Sequence, residues 1–399
     1  MSDYFDKVVE RRGTNCVKWD AVPEGVLPMW VADMDFETAP CVQEAVRRRA
    51  EHGVFGYTAV PASYYESVCN WFASRHGWRP RPEWIIYCPG LVPAMSACVS
   101  AFTRPGDKVI IMSPVYNCFF SSIRNYDCQV SDVPLLTVTE GGVPHYEIDF
   151  EGLERAARDP RAKLMMICSP HNPAGRVWSR SELERIGRIC MDNGVVPVSD
   201  EIHCEFVQPG VKFTPFASVS PEFERACVTL CSPSKAFNIA GLQISNIICA
   251  DPEIRARVDK AVNVNEICDV NPFGVVALQA AYTPEGLEWL QELNGRIAAN
   301  YRRLRERLEA ELPECRLYRL EGTYLAWLDI KALCYAPDGS LRISSVDVEK
   351  SLVDVEKLKV SNGVMYGQEG FLRINLACPP VLLEDGIGRL VHGIKRLMI

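Results

Sequence analysis

No run of about 20 uninterrupted apolar residues occurs in this 399-residue chain, which argues against a membrane-spanning helix. Dense blocks of lysine and arginine are also missing. The 43 basic residues are outweighed by 51 acidic ones, leaving a formal net charge of −8. A chain with that balance does not track a phosphate backbone, so nucleic acid is not an expected partner. The first residues, Met1 to Arg12, are charged and lack the apolar core of a secretory signal. Cysteine is plentiful, at 17, yet no two stand as Cys-x-x-Cys and none clusters with histidine at zinc spacing. Cys88, Cys98, Cys168, Cys231 and Cys249 lie in apolar runs, where cysteine acts as a small hydrophobe. Reduced thiols in a cytoplasmic protein are the economical expectation. Internal repeats and low-complexity linkers are absent as well.

What the chain does contain is alternation. Lys108 to Met112, Lys163 to Cys168, Val195 to Val198 and Cys227 to Cys231 are short, continuous apolar runs. Strands apolar on both faces fit a sheet covered by helices on both sides. Polar–apolar periodic stretches separate these runs; in one of them, Ser179 to Asn193, Ser179 and Glu182 stand at capping-box spacing. The β-then-α order predicts a doubly wound α/β fold. Glu285 to Leu312 is longer, charged and amphipathic, with Pro313 to stop it, and reads as a helix leaving the large unit. Thr323 to Ile330 and Gly370 to Leu376 then read as strands of a smaller α+β unit. The chain is long for one core. The expected division is a large unit over 45–285 and a small unit built from 1–44 and 286–399.

Chemistry gathers at the ends of the apolar runs. Lys235 follows one of them, in Cys231-Ser232-Pro233-Ser234-Lys235. A lysine amine can form an imine with an aldehyde, and a nearby phosphate needs donors such as the Ser232 and Ser234 hydroxyls. Those two needs together describe a pyridoxal 5'-phosphate (PLP) site, the plain alternative being a surface lysine in a Ser/Pro loop. Asp200, just past Val195 to Val198, can keep a pyridine nitrogen protonated; a helix cap or loop aspartate would look the same. Asn172, between Pro170 and Pro173, has a stiffened backbone that can aim its amide, although turn chemistry also explains it. Pro89-Gly90-Leu91-Val92 opens an apolar stretch and can offer backbone N–H groups to a phosphate. Tyr116 can stack on a ring or simply fill a core. The order of phosphate turn, aromatic, asparagine, aspartate and lysine, each at a strand end, favours the cofactor.

With these residues in place the chain resembles the fold-type I PLP enzymes. More closely, it is similar to the cystathionine β-lyase/C–S lyase group of the class I/II aminotransferase family, the MalY/PatB type. The resemblance spans nearly the whole chain. It is carried by Phe5-Asp6, Arg11-Arg12, Thr14-Asn15, Lys18-Trp19-Asp20, the run Leu27 to Phe36, Phe55-Gly56-Tyr57-Thr58, Ser199 to His203, Phe371 to Asn375 and Ala377-Cys378-Pro379. It implies a mostly parallel seven-stranded sheet sandwiched by helices, with a smaller α+β domain.

The resemblance also implies roles. Lys235 would bind the cofactor aldehyde and later act as acid and base. Asp200 would pair with the ring nitrogen, Asn172 with the ring hydroxyl, and Tyr116 would stack on the ring. The Leu91 and Val92 amides with Ser232 and Ser234 would hold the phosphate, and Tyr57 would reach the phosphate of a neighbouring subunit in a homodimer with shared sites. Arg373 would bind the substrate carboxylate as a bidentate fork, and Ala32 would offer a backbone contact at the substrate entrance. His203 stands beside the cofactor where the aspartate-transaminase branch has a tyrosine, and Gln243 where that branch has a phosphate-binding arginine. Asn117-Cys118 replaces prolines common in relatives, which bears on the shape of the substrate pocket. The implied activity is a PLP-dependent C–S β-lyase acting on cystathionine, cysteine or cysteine S-conjugates. A class I/II aminotransferase is the alternative. A regulatory binding protein on the same scaffold is disfavoured because Lys235 and Asp200 are both present.

Overall fold

The computed structural model describes residues 2–264 and 270–399. Seven strands form the large sheet: β1 (Ile85–Cys88), β2 (Lys108–Ile111), β3 (Gln129–Asp132), β4 (Ala162–Cys168), β5 (Val196–Asp200), β6 (Val228–Cys231) and β7 (Ser245–Ile248). Their spatial order is β1-β7-β6-β5-β4-β2-β3. Neighbours from β6 to β3 run parallel, and β7 is antiparallel to both β1 and β6. One reversed strand therefore interrupts an otherwise parallel sheet, and six strands end at the same edge. The edge strand β3 is polar and half-exposed, so no apolar run marks it in the sequence.

Both faces of the sheet are buried, and the strands show why their runs are continuous. Along β2 and β4, Val109, Ile111, Leu164 and Met166 enter one core, while Ile110, Met165 and Ile167 enter the core on the opposite face. Side chains alternate between faces with a period of two, and each face meets helices rather than water. Helix α1 (Leu91–Phe102) follows β1 and α2 (Asn117–Arg124) follows β2. Helix α3 (Arg180–Asp192) begins with the reciprocal Ser179–Glu182 capping box, which satisfies two otherwise unpaired helix-end N–H groups.

The 28-residue α4 (Pro284–Glu311) starts on a Thr283 cap. Its Trp289, Leu293 and Ile297 pack into a large-sheet core, whereas Leu304 and Leu308 pack into a third core. That third core underlies a four-stranded antiparallel sheet of β8 (Arg316–Leu317), β9 (Leu325–Asp329), β10 (Ser361–Asn362) and β11 (Phe371–Asn375), in the order β8-β9-β11-β10. The N-terminal segment is shared. Leu27 and Met29 join the small core, while Phe5, Phe36 and Val42 join a large-sheet core. Residues 30–36, between those two anchorages, form an irregular strap. No described helix is long and apolar enough to cross a membrane. Every described cysteine is a free thiol.

Candidate active site

The carboxyl ends of the parallel strands, the strap and the small sheet enclose a cavity of about 480 Å³. Ligands in open α/β sheets bind at this edge because strand-end loops converge there.

After β6, the buried Ser232 hydroxyl donates to the Ile244 carbonyl at 2.5 Å and accepts the Ser234 N–H at 3.0 Å. This turn leaves Lys235 lining the cavity. Its Nζ donates to the Ala32 carbonyl of the strap at 2.6 Å. Burial pulls the amine down to about 8, against the opposing pull of Asp33; Arg373 lowers it further, and Asp200 and Cys118 raise it. A lysine in that range exchanges protons readily near neutral pH.

Asp200 closes β5 and also lines the cavity. Oδ1 accepts the Ile202 N–H at 3.1 Å, and the carboxyl has no ion-pair partner among the described residues. Burial therefore pushes it up to about 7, although the Ile202 N–H and Lys235 oppose the shift. A desolvated carboxyl with no ion-pair partner of its own fits a ligand that brings its own positive N–H. His203, directly after Ile202, is held neutral, with burial lowering it to about 3 and Lys235 and Arg373 adding to the effect. Its Nδ1 has no partner.

Arg373, mid-strand in β11, is buried. Nη1 donates to Asn172 Oδ1 at 3.1 Å and Nη2 to the Trp30 carbonyl at 2.7 Å, while Nε is unpartnered. The guanidinium lies 4.7 Å from the Tyr366 ring centre. A buried guanidinium bonded only to neutral oxygens is a receptor for a carboxylate.

At the opposite wall Gly90 precedes α1 with no side-chain cap, so the Leu91 and Val92 N–H groups, both at the lining, receive no capping side chain. A Cβ at Gly90 would meet the Pro93 ring at 3.3 Å, so the approach suits glycine. Ser234 and Gln243 complete this wall. The donor set of neutral N–H and hydroxyl groups at a helix start fits a phosphate.

The cavity thus brings together Lys235, Asp200, His203, Asn172, Tyr116, Leu91, Val92, Ser234, Arg373 and Ala32. Two sequence candidates lie outside it. Ser232 is buried behind the wall with its proton on Ile244, and Tyr57 is fully exposed. Sequence reasoning left out Tyr366, Ser361 and Met365, which line the cavity, and Tyr324, whose hydroxyl shares the Ala32 carbonyl with Lys235 at 2.8 Å. None of these ends a large-sheet strand, and Tyr324 and Tyr366 sit in apolar surroundings that read as core.

The fold and cavity define an α/β enzyme built to hold a flat, phosphorylated ring beside a reactive lysine. The chain belongs to the class I and II aminotransferase family, whose model matches residues 24–390. It is 41% identical over 393 residues to cystathionine beta-lyase PatB of Bacillus subtilis, spanning 97% of this chain and 98% of that one. Cystalysin from Treponema denticola, solved with its pyridoxal 5'-phosphate cofactor, matches with a TM-score of 0.92 and 34% identity over 98% of this chain and 99% of that one. The PLP-bound C–S lyase from Staphylococcus hominis matches with a TM-score of 0.89 and 33% identity over 98% of each chain.

Proposed function

We propose that this protein is a PLP-dependent C–S β-lyase that cleaves cystathionine, cysteine or cysteine S-conjugates to a thiol, pyruvate and ammonia. The observation that carries the reading is one cavity holding a depressed lysine amine, a carboxyl with no ion-pair partner and a guanidinium bonded only to neutral oxygens. The relatives named as cystathionine β-lyase and C–S lyase point the same constellation toward sulfur substrates.

When bound, PLP supplies an electron sink for the pair of electrons left at the substrate Cα. The protein's own groups do the rest. Lys235 would hold the cofactor until the substrate amine arrives, then would take the Cα proton and pass it to the departing sulfur. Asp200 would pair with the ring nitrogen, Asn172 with the ring hydroxyl, and Tyr116 would stack on the ring. The Leu91 and Val92 N–H groups with Ser234 would take the phosphate, and His203 would stay neutral beside the ring. Ser232 would join them only by giving up its bond to Ile244. Arg373 orients the α-carboxylate. As the Cα–H and Cβ–S bonds break, the thiol leaves and the three-carbon remainder takes up water to give pyruvate and ammonia.

The active unit is proposed as a homodimer in which the exposed Tyr57 ring reaches the phosphate wall of the second copy. Free thiols throughout the described chain suit a cytoplasmic location.

Transamination would use the same residues, and the family description keeps it as the competing reading. Incubation with cystathionine should release pyruvate without any keto-acid acceptor. Absolute dependence on 2-oxoglutarate would overturn the lyase reading.

A further inference from the structure

Tyr324 occupies a costly position at the start of β9. Before it stands Gly322, where a Cβ would come within 2.9 Å of the Phe206 carbonyl oxygen. Next comes Thr323, whose φ is +70°, an unfavourable conformation for a β-branched residue. Thr323 is held there by its N–H, which donates to the Phe206 carbonyl at 3.1 Å, and by its hydroxyl, which accepts the Leu325 N–H at 3.1 Å. The turn sends the Tyr324 ring into the interior, fully buried, with ring centres 4.8 Å from Phe206 and 5.8 Å from His203. Its hydroxyl donates to the Ala32 carbonyl of the strap at 2.8 Å.

Among the described residues that carbonyl has two donors, the Tyr324 hydroxyl and, at 2.6 Å, the Lys235 amine. The carbonyls on either side, those of Val31 and Asp33, are held by Asn375 at 2.6 and 2.7 Å. While Lys235 is bonded to the cofactor, Tyr324 is the donor left to Ala32. A buried carbonyl stripped of both donors turns toward another one, and a released amine would then find its acceptor gone.

We propose that Tyr324 is a positioning residue that acts through the Ala32 carbonyl: its hydroxyl keeps that oxygen turned to the cavity, so that Lys235 returns to one fixed acceptor each time it is released.

An amine on a fixed acceptor begins every proton transfer from the same place. An ammonium donates a stronger hydrogen bond than a neutral amine, so a fixed carbonyl also favours the charged form of the lysine. The hydroxyl's own dipole acts the other way, because its positive end points at the oxygen the ammonium uses. Positioning and direct electrostatics therefore differ in sign. The other groups facing Lys235 are Asp33 from the strap, Asp200 at the end of β5, His203, Arg373 from β11 and Cys118 in α2. Burial keeps the Tyr116 and Tyr324 phenols protonated. Tyr324→Phe leaves all of these charges and the buried ring in place, and removes one hydroxyl.

The inference rests on the lyase reading for its effect on turnover, while its primary test needs no turnover. In the full-length, cofactor-free chain, competitive acetylation of Lys235 followed by mass spectrometry gives the midpoint at which the amine deprotonates. Tyr324→Phe should lower that midpoint by about one unit, the size expected from weakening one hydrogen bond to a charged group. Ser361→Ala removes a hydroxyl from the strap at the Trp30 carbonyl, without touching Ala32, and should leave the midpoint in place. In the loaded enzyme Tyr324→Phe should lower kcat about tenfold with KM little changed, a fraction of the roughly 100-fold cost of misplacing a catalytic group by about 1 Å.

A midpoint that stays or rises in Tyr324→Phe would sink the proposal, as would an equal fall in Ser361→Ala or a loss confined to KM. A lowered midpoint in a protein that releases no pyruvate would leave it standing and remove only the lyase reading.

Discussion

The two walls of the cavity hold polar groups inside a protein by different physical means. On the sheet side, Asp200 and Lys235 sit at strand ends, and the strands behind them are apolar and fully hydrogen-bonded to neighbours. Their positions follow from the ladder, and their charges are left short of partners. The strap has no ladder. Its backbone carbonyls are met by side chains instead: Trp30 by Arg373 and Ser361, Val31 by Asn375, Ala32 by Lys235 and Tyr324, Asp33 by Lys18 and Asn375, and Met34 by Arg11 and Asn238. Buried backbone oxygens need partners. The strap is thus rigid because donors from distant segments converge on it. One wall keeps its functional groups frustrated and ready for a ligand, and the other spends its charged groups on holding itself in place.

The sharpest way to break this comparison is at Lys235. Lys235→Ala should lower turnover by about 10⁴-fold, the upper range for one acid–base group, and shift or abolish the visible absorbance of the bound cofactor. Normal turnover in that variant would remove the sheet-side reading altogether.

A stability effect follows on the strap side. Lys18 Nζ pairs with Asp35 Oδ2 at 2.7 Å, with both side chains almost fully buried. Lys18→Met leaves Asp35 with Arg11 and the Trp19 N–H and should cost about 3 kcal/mol in urea unfolding, as expected for breaking a buried pair.

Asp200→Asn, by contrast, should not destabilise the cofactor-free chain. The folded carboxyl is raised to about 7, above its ordinary value of 3.8. Its contribution is therefore fully present below the ordinary value and is lost as pH rises through 7. The stability advantage of Asp200→Asn over the unsubstituted chain should grow from pH 4 to pH 7, as read by thermal unfolding, while turnover falls. A loss of stability in Asp200→Asn equal to that in Lys18→Met would erase the distinction between the walls.

Arg373 stands where the walls meet, since it bonds the strap at Trp30 and the sheet-side loop at Asn172. Arg373→Lys should raise KM for amino-acid substrates about 10- to 100-fold, because a point charge replaces a planar fork. The smallest effect belongs to a site remote from both walls. Ser179→Ala removes one half of the α3 capping box and should cost about 1 kcal/mol with kcat unchanged.

Much of the sheet wall was legible because its signals are local. Continuous apolar runs mark β2, β4, β5 and β6, and these strands or the loops that follow them carry Tyr116, Asn172, Asp200 and Lys235 into the cavity lining. Strands β3 and β7 left weaker traces: β7 opens on Ser245 and Asn246, and β3 is half-exposed and polar. The strap was recognisable as a motif, but its physical job was not, since each of its donors comes from a segment with no periodic relation to it. Tyr366 and Tyr324 were missed for the same reason, as apolar neighbours hide a site tyrosine among core ones. Ser232 was the reverse case, a hydroxyl placed by motif at the phosphate wall whose proton the fold gives to Ile244.

By itself, the amino-acid sequence determined the inventory of this protein: a buried parallel sheet, a lysine, an aspartate and an asparagine at its strand ends, an arginine in an apolar strand, and membership of a PLP-using family. Only the tertiary structure decided which groups meet. Asn172 and Arg373 are 201 positions apart, and Ala32 and Lys235 are 203 apart. Local periodicity fixes which face a side chain takes, but it carries no information about a partner on another element. That choice is made when burial strips water from a charge or a carbonyl and leaves it to bond with whatever the packing brings within reach.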